Sequence, residues 1–381
     1  MRRGRGARLG GKISRDRMTA APAISLVPPA LSCAGASMDL RIVNPIEDTT
    51  WDALLWTHPH ATFFHSAAWA KTLADAYGFE PRYVVATSGD ELRGMLPLME
   101  ARSWLRGKRG VSLPFTDECA PLLTPGVTAE SLLDVATHEG LSRGWKYLEL
   151  RGGHELFHHL PESVAFHGHV LGLHLKAEDA FAKFDSAVQR NIRKAERAGV
   201  TVEFGTDAAA VRAYYDLHCR TRTKHGAPPQ PFRFFEKLGE HILEKGHGFI
   251  ALAKHEGKAI AGAVFFRFAR TAIYKFSASD ERFQELRGPN LVIWQSLRRL
   301  MDAGVMALDF GKTSQANEGL RRFKRQWGAD ERVIRYARYD FARRQFVKTS
   351  DLAAGLQARL FALMPVAVSR CLGRAVYPHL S

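Results

Sequence analysis

One order of strand-like and helix-like segments occurs twice along this chain, and this recurrence limits the fold more than any other feature of the sequence. In each half, short β-type runs surround amphipathic helical stretches, with glycine or proline at many of the junctions. The pattern predicts an α+β protein in which each half has a mixed sheet flanked by helices. The halves are predicted to extend over residues 38–165 and 166–345.

In the first half, Ser66 is a predicted helix cap, and apolar residues recur at helical spacing as far as Tyr77. Strands are predicted at 82–87, 95–99, 111–115 and 146–150, and a further helix at 129–142. The run 106–110, rich in glycine and basic residues, is predicted to be a turn between two of these strands.

The second half repeats this order with longer elements. Helices are predicted at 186–198 with Ser186 as the cap, at 207–224, at 231–245 and at 291–303. Strands are predicted at 169–175, 201–204, 248–254, 259–268, 271–277, 306–310 and 333–340. The three central strands are close in sequence and joined by short turns, which predicts an antiparallel meander.

Both ends of the chain differ from this body. Three explanations are open for residues 1–37: an export or transit signal, a basic tethering arm, or a start that should be placed at Met38. Prolines interrupt the only apolar stretch there, which favours a disordered basic tail or an over-long start. Residues 346–381 are predicted to form a helical tail that packs on the body or docks at a membrane interface.

The chain is basic, with 54 Lys and Arg against 39 Asp and Glu and a formal charge of +15. Such a balance suits an anionic partner such as a nucleotide, CoA, tRNA or a membrane surface, although a basic enzyme without that partner has the same composition. Four scattered cysteines indicate a reduced, cytoplasmic compartment, with peripheral contact to the inner membrane if the C-terminal tail docks there. No apolar run reaches the ~20 residues of a transmembrane helix.

Two motif matches are weak. His154 and His158 fit the H-E-x-x-H zinc pattern, but glycines precede the motif and Pro161 follows it, so a long supporting helix is not expected and no metal site is predicted. Residues 6–13 approach a phosphate-binding loop without its Ser or Thr and without a preceding strand.

A predicted helix carries four cations on one face, and either a phosphate-binding role or a solvated surface explains them. These cations are Arg190, Arg193, Lys194 and Arg197.

The densest run of unusual residues is 307–329. A buried strand ends at Asp309, a polar loop follows, and Phe323 and Lys324 come just after it. An acid at the end of an internal strand, one loop away from a lysine, is typical of a site in an open sheet. The alternative is a strand end with its own solvated loop.

With this run the chain resembles the FemAB-like proteins of the GNAT acyltransferase superfamily, the BioF2-like acetyltransferase group. In these proteins Asp-Phe-Gly is followed by Gly-x-x-x-Phe-Lys-x-x-x-Gly, which stands here at 309–311 and 319–328. Further stretches agree in the same order, at 112–117, 120–122, 189–195, 221–228, 274–279 and 289–294.

The resemblance implies two tandem GNAT-like domains, each with a mixed, mainly antiparallel sheet. It implies transfer of an acyl or aminoacyl group to an amine of an anionic cell-envelope, peptidoglycan or exopolysaccharide precursor. The donor, acyl-CoA or aminoacyl-tRNA, would bind as a substrate and not as a tightly held cofactor, and no DNA partner is expected. The alternative is a non-catalytic GNAT-fold protein for binding or assembly in envelope polysaccharide biosynthesis.

The resemblance also implies roles for particular residues. Asp309 would orient or deprotonate the amine, and Lys324 would neutralise the acceptor or the developing oxyanion. Substrate-binding roles fall to five further residues, which are Arg222, His225, Tyr274, Asn290 and Phe323.

The sequence departs from the acetyl-CoA enzymes at their pyrophosphate loop. The corresponding segment 284–290 keeps only Gly288, and Pro289 removes one N–H donor. This departure weakens the case for acyl-CoA. The chain also lacks room for the long helical-hairpin arm of some FemAB proteins, so tRNA binding through such an arm is not expected.

Overall fold

The computed structural model describes residues 38–56, 58–104, 106–348 and 377–379. The predictions for 1–37 lie outside these ranges, as do most of those for 346–381. The strands are β1 (Asp39–Val43), β2 (Glu80–Pro81), β3 (Tyr83–Ser88), β4 (Glu91–Leu96), β5 (Met99–Ser103), β6 (Gly107–Val111), β7 (Leu122–Leu123), β8 (Tyr147–Arg151), β9 (Val164–Gly172), β10 (Thr201–Gly205), β11 (Gly248–His255), β12 (Lys258–Phe268), β13 (Thr271–Ser279), β14 (Ala307–Ser314), β15 (Asp330–Asp340) and β16 (Gln345–Phe346).

The α-helices are α1 (Trp51–Trp56), α2 (Ala67–Tyr77), α3 (Ala129–Arg143), α4 (Ala177–Lys183), α5 (Ser186–Arg197), α6 (Ala208–Lys224), α7 (Phe232–Leu238), α8 (Gly288–Asp302) and α9 (Glu318–Arg325). A π-helical turn, Gly239–Leu243, extends α7, and short 3₁₀ turns lie at Phe63–His65, Glu281–Leu286 and Tyr377–His379. Within the described residues, no helix has both the length and the apolar character needed to cross a bilayer.

The predicted α+β class is confirmed, with corrections to individual elements. The basic turn predicted at 106–110 is wrong, since residues from Gly107 form strand β6 between β5 and β8. The loop predicted after 311 contains helix α9, whose Asn317 cap accepts a hydrogen bond from the Leu320 N–H. The cap of α5 is Asp185 rather than the predicted Ser186.

Two sheets organise the described residues. The smaller sheet has the order β1-β3-β4-β7. The larger sheet has the order β10-β11-β12-β13-β14-β9-β15-β8-β6-β5-β2, with β16 on β15, and runs without a break through both halves. The last long strand, β15, lies between β9 and β8 and pairs with both.

Helices cover both faces of the second half of the large sheet. Alternate residues of β12 point to opposite faces, so Val264 and Phe266 pack towards α6 and α7, whereas Ala263 and Phe265 pack towards α5 and α8. The core on the α6 face also contains Trp69 from the first half, whose ring lies 5.7 Å from that of Phe266. The two halves therefore share one hydrophobic core.

Candidate functional site

Two parallel strands of the large sheet separate where the predicted catalytic acid stands. β13 and β14 pair at three positions only, from Thr271 opposite Ala307 to Ile273 opposite Asp309. Beyond this level, β13 has an extra residue, Lys275, opposite β12, and β14 has two residues opposite one of β9. Such bulges bend a strand and re-aim its side chains. We call the resulting gap between 274–279 and 310–314 the strand split.

Asp309 lies at the start of the strand split. Its Oδ1 accepts a 2.7 Å hydrogen bond from the Gly311 N–H. Burial raises the pKa of Asp309 to about 6, with the Asp117 carboxylate adding to the rise and the Gly311 bond opposing it. A carboxylate with this pKa is suited to accept a proton near neutral pH.

Lys324 lies behind β14 and not in an open cavity. Its side chain is buried, and Nζ donates to the carbonyl oxygens of Gly311 at 2.8 Å and Lys312 at 3.1 Å. Burial lowers the pKa of Lys324 to about 8, against the opposing effect of the Asp117 and Asp309 carboxylates. Lys324 therefore fixes the irregular backbone of β14 beside Asp309.

A cavity of about 890 Å³ lies on the α6 face, bounded by both strands of the split. We call it the acceptor cavity. It is lined by residues from both halves, which are Phe115, Thr116, Asp117, Arg151, His218, Thr221, Arg222, His225, Gln230, Lys275, Phe276, Ser277, Lys312, Asn317, Leu320 and Tyr377. Four of these side chains are cationic and one is acidic, so the cavity favours an anionic ligand.

A buried charge cluster forms the floor of the acceptor cavity. Asp117 Oδ2 accepts from Lys275 Nζ at 3.0 Å, and Lys312 Nζ donates to the Tyr336 hydroxyl at 2.9 Å. That hydroxyl donates in turn to the Asp117 carbonyl at 2.6 Å. Although burial alone would raise the pKa of Asp117, the nearby Lys275 and Lys312 keep it below its ordinary value. Burial, aided by the Arg151 charge, lowers the pKa of Lys312 to about 8.

Sequence reasoning gave no role to Asp117, Arg151, Lys275 or Lys312. Three of them lie inside or beside the stretches that carried the family resemblance, at 112–117, 274–279 and 309–311. Their signal was a charged residue within or directly beside one of these motifs. Their convergence on one cavity is visible only in the folded chain, since Asp117 and Lys275 are far apart in sequence.

The structure brings together some of the predicted binding residues. Arg222 and His225, at the end of α6, both line the acceptor cavity. Arg222 donates through Nε to the Pro228 carbonyl at 3.3 Å and through Nη2 to the Tyr377 hydroxyl at 3.2 Å. These two bonds hold the guanidinium at the cavity wall.

The other predicted binding residues lie elsewhere. Tyr274 is on the α8 face of the strand split, where its ring lies 5.6 Å from that of Phe310 and burial raises its pKa to about 12. Phe323 packs edge-on against Trp327, with ring centroids 6.3 Å apart. Asn290 is buried in the first turn of α8.

The α8 N-terminus presents few free donors. Arg287 has a φ of 57° and precedes the helix, the Asn290 N–H donates to its carbonyl at 3.0 Å, and Pro289 has no N–H. A Cβ on Gly288 would lie 3.3 Å from Ala261 Cβ. The glycine thus permits close packing of the helix on the sheet.

The weaker sequence motifs acquire no new role. Residues 154–158 form turns, and among the described residues no group of His, Cys, Asp or Glu is arranged to hold a metal ion. On α5, Arg190 bonds the Ser186 hydroxyl at 3.0 Å and Lys194 pairs with Glu285 at 3.2 Å. Two of the four cations of this face are therefore engaged in contacts within the protein.

Comparison with known proteins agrees with this architecture. Residues 182–325 match the family model described as an acetyltransferase (GNAT) domain. This match confirms the predicted acyltransferase and the predicted GNAT resemblance, and the solved structures below confirm the predicted tandem fold. No curated protein matches the sequence.

Solved structures share the fold at low sequence identity. FemX is 14% identical with a TM-score of 0.60, covering 74% of this chain and 94% of its own. A tandem GNAT protein from the clavulanic acid biosynthesis pathway is 13% identical with a TM-score of 0.54, covering 80% of this chain and 98% of its own. L-PGS from Bacillus licheniformis is 13% identical with a TM-score of 0.50, covering 84% of this chain and 96% of its own.

Proposed function

We propose that this acyltransferase transfers an acyl or aminoacyl group to the amine of an anionic cell-envelope, peptidoglycan or exopolysaccharide precursor. The observation that carries the proposal is the cationic acceptor cavity, which meets the strand split at Lys275 and Lys312. One substrate occupies the cavity and the other reaches it through the split.

The charge of the cavity supports an anionic acceptor. Lys312 lies at its floor and Arg222 at its wall, whereas Asp117 is already paired with Lys275 and Arg151 with Glu149. Guanidinium and ammonium groups in a partly dehydrated site hold phosphate or carboxylate through charge-assisted hydrogen bonds. The volume of about 890 Å³ accommodates an acceptor larger than a single amino acid.

The reaction needs a neutral amine and a group that takes its proton. In the proposed step, the amine nitrogen attacks the acyl carbonyl carbon, and the bond to the thiol sulfur of CoA or the ribose oxygen of tRNA breaks. Asp309 accepts the proton that the amine loses, and this proton then neutralises the leaving thiolate or alkoxide. Lys324 holds the Gly311 and Lys312 carbonyls and so positions β14 for this step.

The donor is acyl-CoA or aminoacyl-tRNA. The two differ in what the α8 N-terminus must do, because a CoA pyrophosphate is best held by free backbone N–H groups at such a terminus. Pro289 and the engaged Asn290 N–H reduce that capacity, which favours aminoacyl-tRNA. Both donors are cytoplasmic molecules, so we place the reaction in the cytoplasm, with the envelope precursor on the cytoplasmic side of the membrane.

The test is an assay with the full chain. Pools of acyl-CoA and of charged tRNA are each offered with amine-bearing envelope precursors, and mass spectrometry records the mass gain of the acceptor. Binding of CoA and of charged tRNA is titrated at two salt concentrations. We expect transfer that is lost in Lys312→Met and kept in Lys258→Met, a lysine exposed on β12.

The outcomes separate the alternatives. Salt-sensitive tRNA binding without CoA binding assigns the donor as aminoacyl-tRNA, because phosphate contacts dominate such binding. Micromolar CoA binding that is lost when Asn290 is changed assigns acyl-CoA. If every donor pool leaves the acceptors unmodified while the precursors still bind, the proposal fails and a non-catalytic binding protein is indicated.

A further inference from the structure

The C-terminal residues Tyr377–His379 close one side of the acceptor cavity. Tyr377 is 7% exposed, and its ring centroid lies 5.7 Å from that of Phe115. Its hydroxyl lies 3.2 Å from Arg222 Nη2. The His379 ring packs edge-on against Trp104, with centroids 5.6 Å apart. The segment therefore touches a loop of the first half and a helix of the second.

Both cavity residues that Tyr377 contacts are themselves constrained. Phe115 has a φ of 60°, a strained value for an aromatic residue, and its ring is held by Tyr77 at 5.0 Å and Phe234 at 6.5 Å. Strain of this kind persists where the surrounding structure fixes it, and it is concentrated at ligand sites.

Arg222 is fixed in the same way. It has five N–H donors, and the bonds to Pro228 and Tyr377 orient the guanidinium while leaving other donors for a ligand. Without the Tyr377 hydroxyl, one side of the guanidinium is free to turn.

We propose that Tyr377 is an acceptor-specificity residue of this enzyme. Its ring forms a wall of the acceptor cavity together with Phe115, and its hydroxyl positions Arg222 to bind the anionic group of the acceptor. The inference rests on the proposed function for the identity of the ligand, but the covering of Arg222 by Tyr377 is independent of it.

The first experiment measures directly how far Tyr377 shields the Arg222 guanidinium from solvent. Phenylglyoxal modifies exposed guanidinium groups, and peptide mass spectrometry reports the rate at Arg222. We expect Tyr377→Ala to accelerate modification of Arg222 about fivefold. Arg220, one half-turn away and 51% exposed at its side chain, is the internal control and keeps its rate. An unchanged rate at Arg222 overturns the proposal.

The second experiment uses steady-state transfer with the acceptor identified above. Tyr377→Ala is expected to raise the acceptor KM about tenfold and Tyr377→Phe about threefold, with kcat and the donor KM unchanged. Tyr377→Phe keeps the ring and guards against a folding defect. The role in specificity is overturned if the acceptor KM is unchanged in both variants. It is also overturned if the donor KM rises as much as the acceptor KM. If the wild-type chain transfers nothing, the proposed function fails, and the modification rates still decide whether Tyr377 covers Arg222.

Discussion

Each half of the chain contains a parallel strand pair joined through a helix, and the two pairs differ in how their strands continue. In the first half, β6 leads through α3 to β8, with Gly110 opposite Leu148 and Val111 opposite Glu149. In the second half, β13 leads through α8 to β14, with three opposed positions. Apart from the short strand β7 between β6 and α3, both units have the order strand, helix, strand.

The first pair is closed and the second is open. After Val111, the Ser112 N–H donates to the Glu149 carbonyl at 2.9 Å, and the Arg151 N–H donates to the Ser112 hydroxyl at 2.6 Å. After Ile273, the second pair separates into the strand split, with Asp309 at its start. The strand-helix-strand unit of the first half thus provides a wall of the acceptor cavity. The corresponding unit of the second half provides the proposed reaction cleft.

After the loss predicted above for Lys312→Met, the largest effect is expected from Lys324→Met, which removes the donor to the Gly311 and Lys312 carbonyls at the open pair. Since catalysis depends on a positioned polar environment, we expect acyl transfer to fall about 100-fold to 1,000-fold. Initial rates under saturating substrates measure this loss. Lys258→Met is the matched control, and a Lys324→Met protein that keeps at least half of the wild-type rate contradicts the assignment of the open pair.

The next effect concerns the closed pair. Gly110→Ala places a Cβ 2.1 Å from the Trp145 ring, so the strand or the indole must move. We expect the free energy of unfolding to fall by about 3 kcal/mol, measured by urea titration, with normal activity of the folded protein. Gly319→Ala, where the nearest atom is 3.8 Å away, is the control. A loss of activity without a loss of stability argues against a purely structural role for this pair.

A pH profile tests the open pair more finely. With the pKa of Asp309 raised to about 6 and that of Lys312 lowered to about 8, a reaction that needs the carboxylate and the ammonium has a bell-shaped kcat/KM. The rate is expected to fall about tenfold from pH 7 to pH 5. Asp309→Asn removes the acidic limb and leaves a low, flat rate there. An acidic limb that survives in this variant assigns it to another group.

The same substitution has a stability consequence of known sign. Because burial raises the folded pKa of Asp309 above its ordinary 3.8, the native state binds the proton more tightly, and stability is lost as pH rises through about 6. Asp309→Asn is therefore expected to raise Tm at pH 7 and to change it less at pH 4. Equal shifts at both pH values contradict this explanation.

The smallest effect is expected from Ser112→Ala, which removes the acceptor of the Arg151 N–H in the closed pair. The free energy of unfolding is expected to fall by about 1 kcal/mol, since a buried donor loses its partner. Ser142→Ala, at an exposed residue of α3, is the control. If the free energy of unfolding falls equally in Ser112→Ala and Ser142→Ala, the hydrogen bond of the closed pair contributes nothing specific to stability.

Sequence patterns predicted most of this fold because periodicity and caps are local. The helix at 67–77 and the meander of β11, β12 and β13 follow from apolar spacing and turn residues alone. Strand β6 was missed because glycine and basic residues dominate it. Gly110 fits there because Trp145 occupies the space that a side chain would need.

The site was predicted less completely, for a similar reason. Asp309 and Lys324 lie in one short segment of the sequence, so a local pattern is enough to predict that they are close together. Helix α9 was missed because its residues form no apolar stripe, and its buried face is the Lys324 ammonium bound to two carbonyls. Asp117 and Lys275 meet through tertiary packing, which no local pattern encodes.

The position of β15 also constrains how the protein is made. This strand is the last long one among the described residues, yet it lies in the interior of the sheet between β8 and β9. During synthesis, both neighbours leave the ribosome well over a hundred residues earlier with unpaired edges, which are prone to wrong pairing until the partner arrives. The sheet therefore stays incomplete during most of synthesis, and the run 307–329, with Asp309 and Lys324, emerges immediately before the strand that completes it.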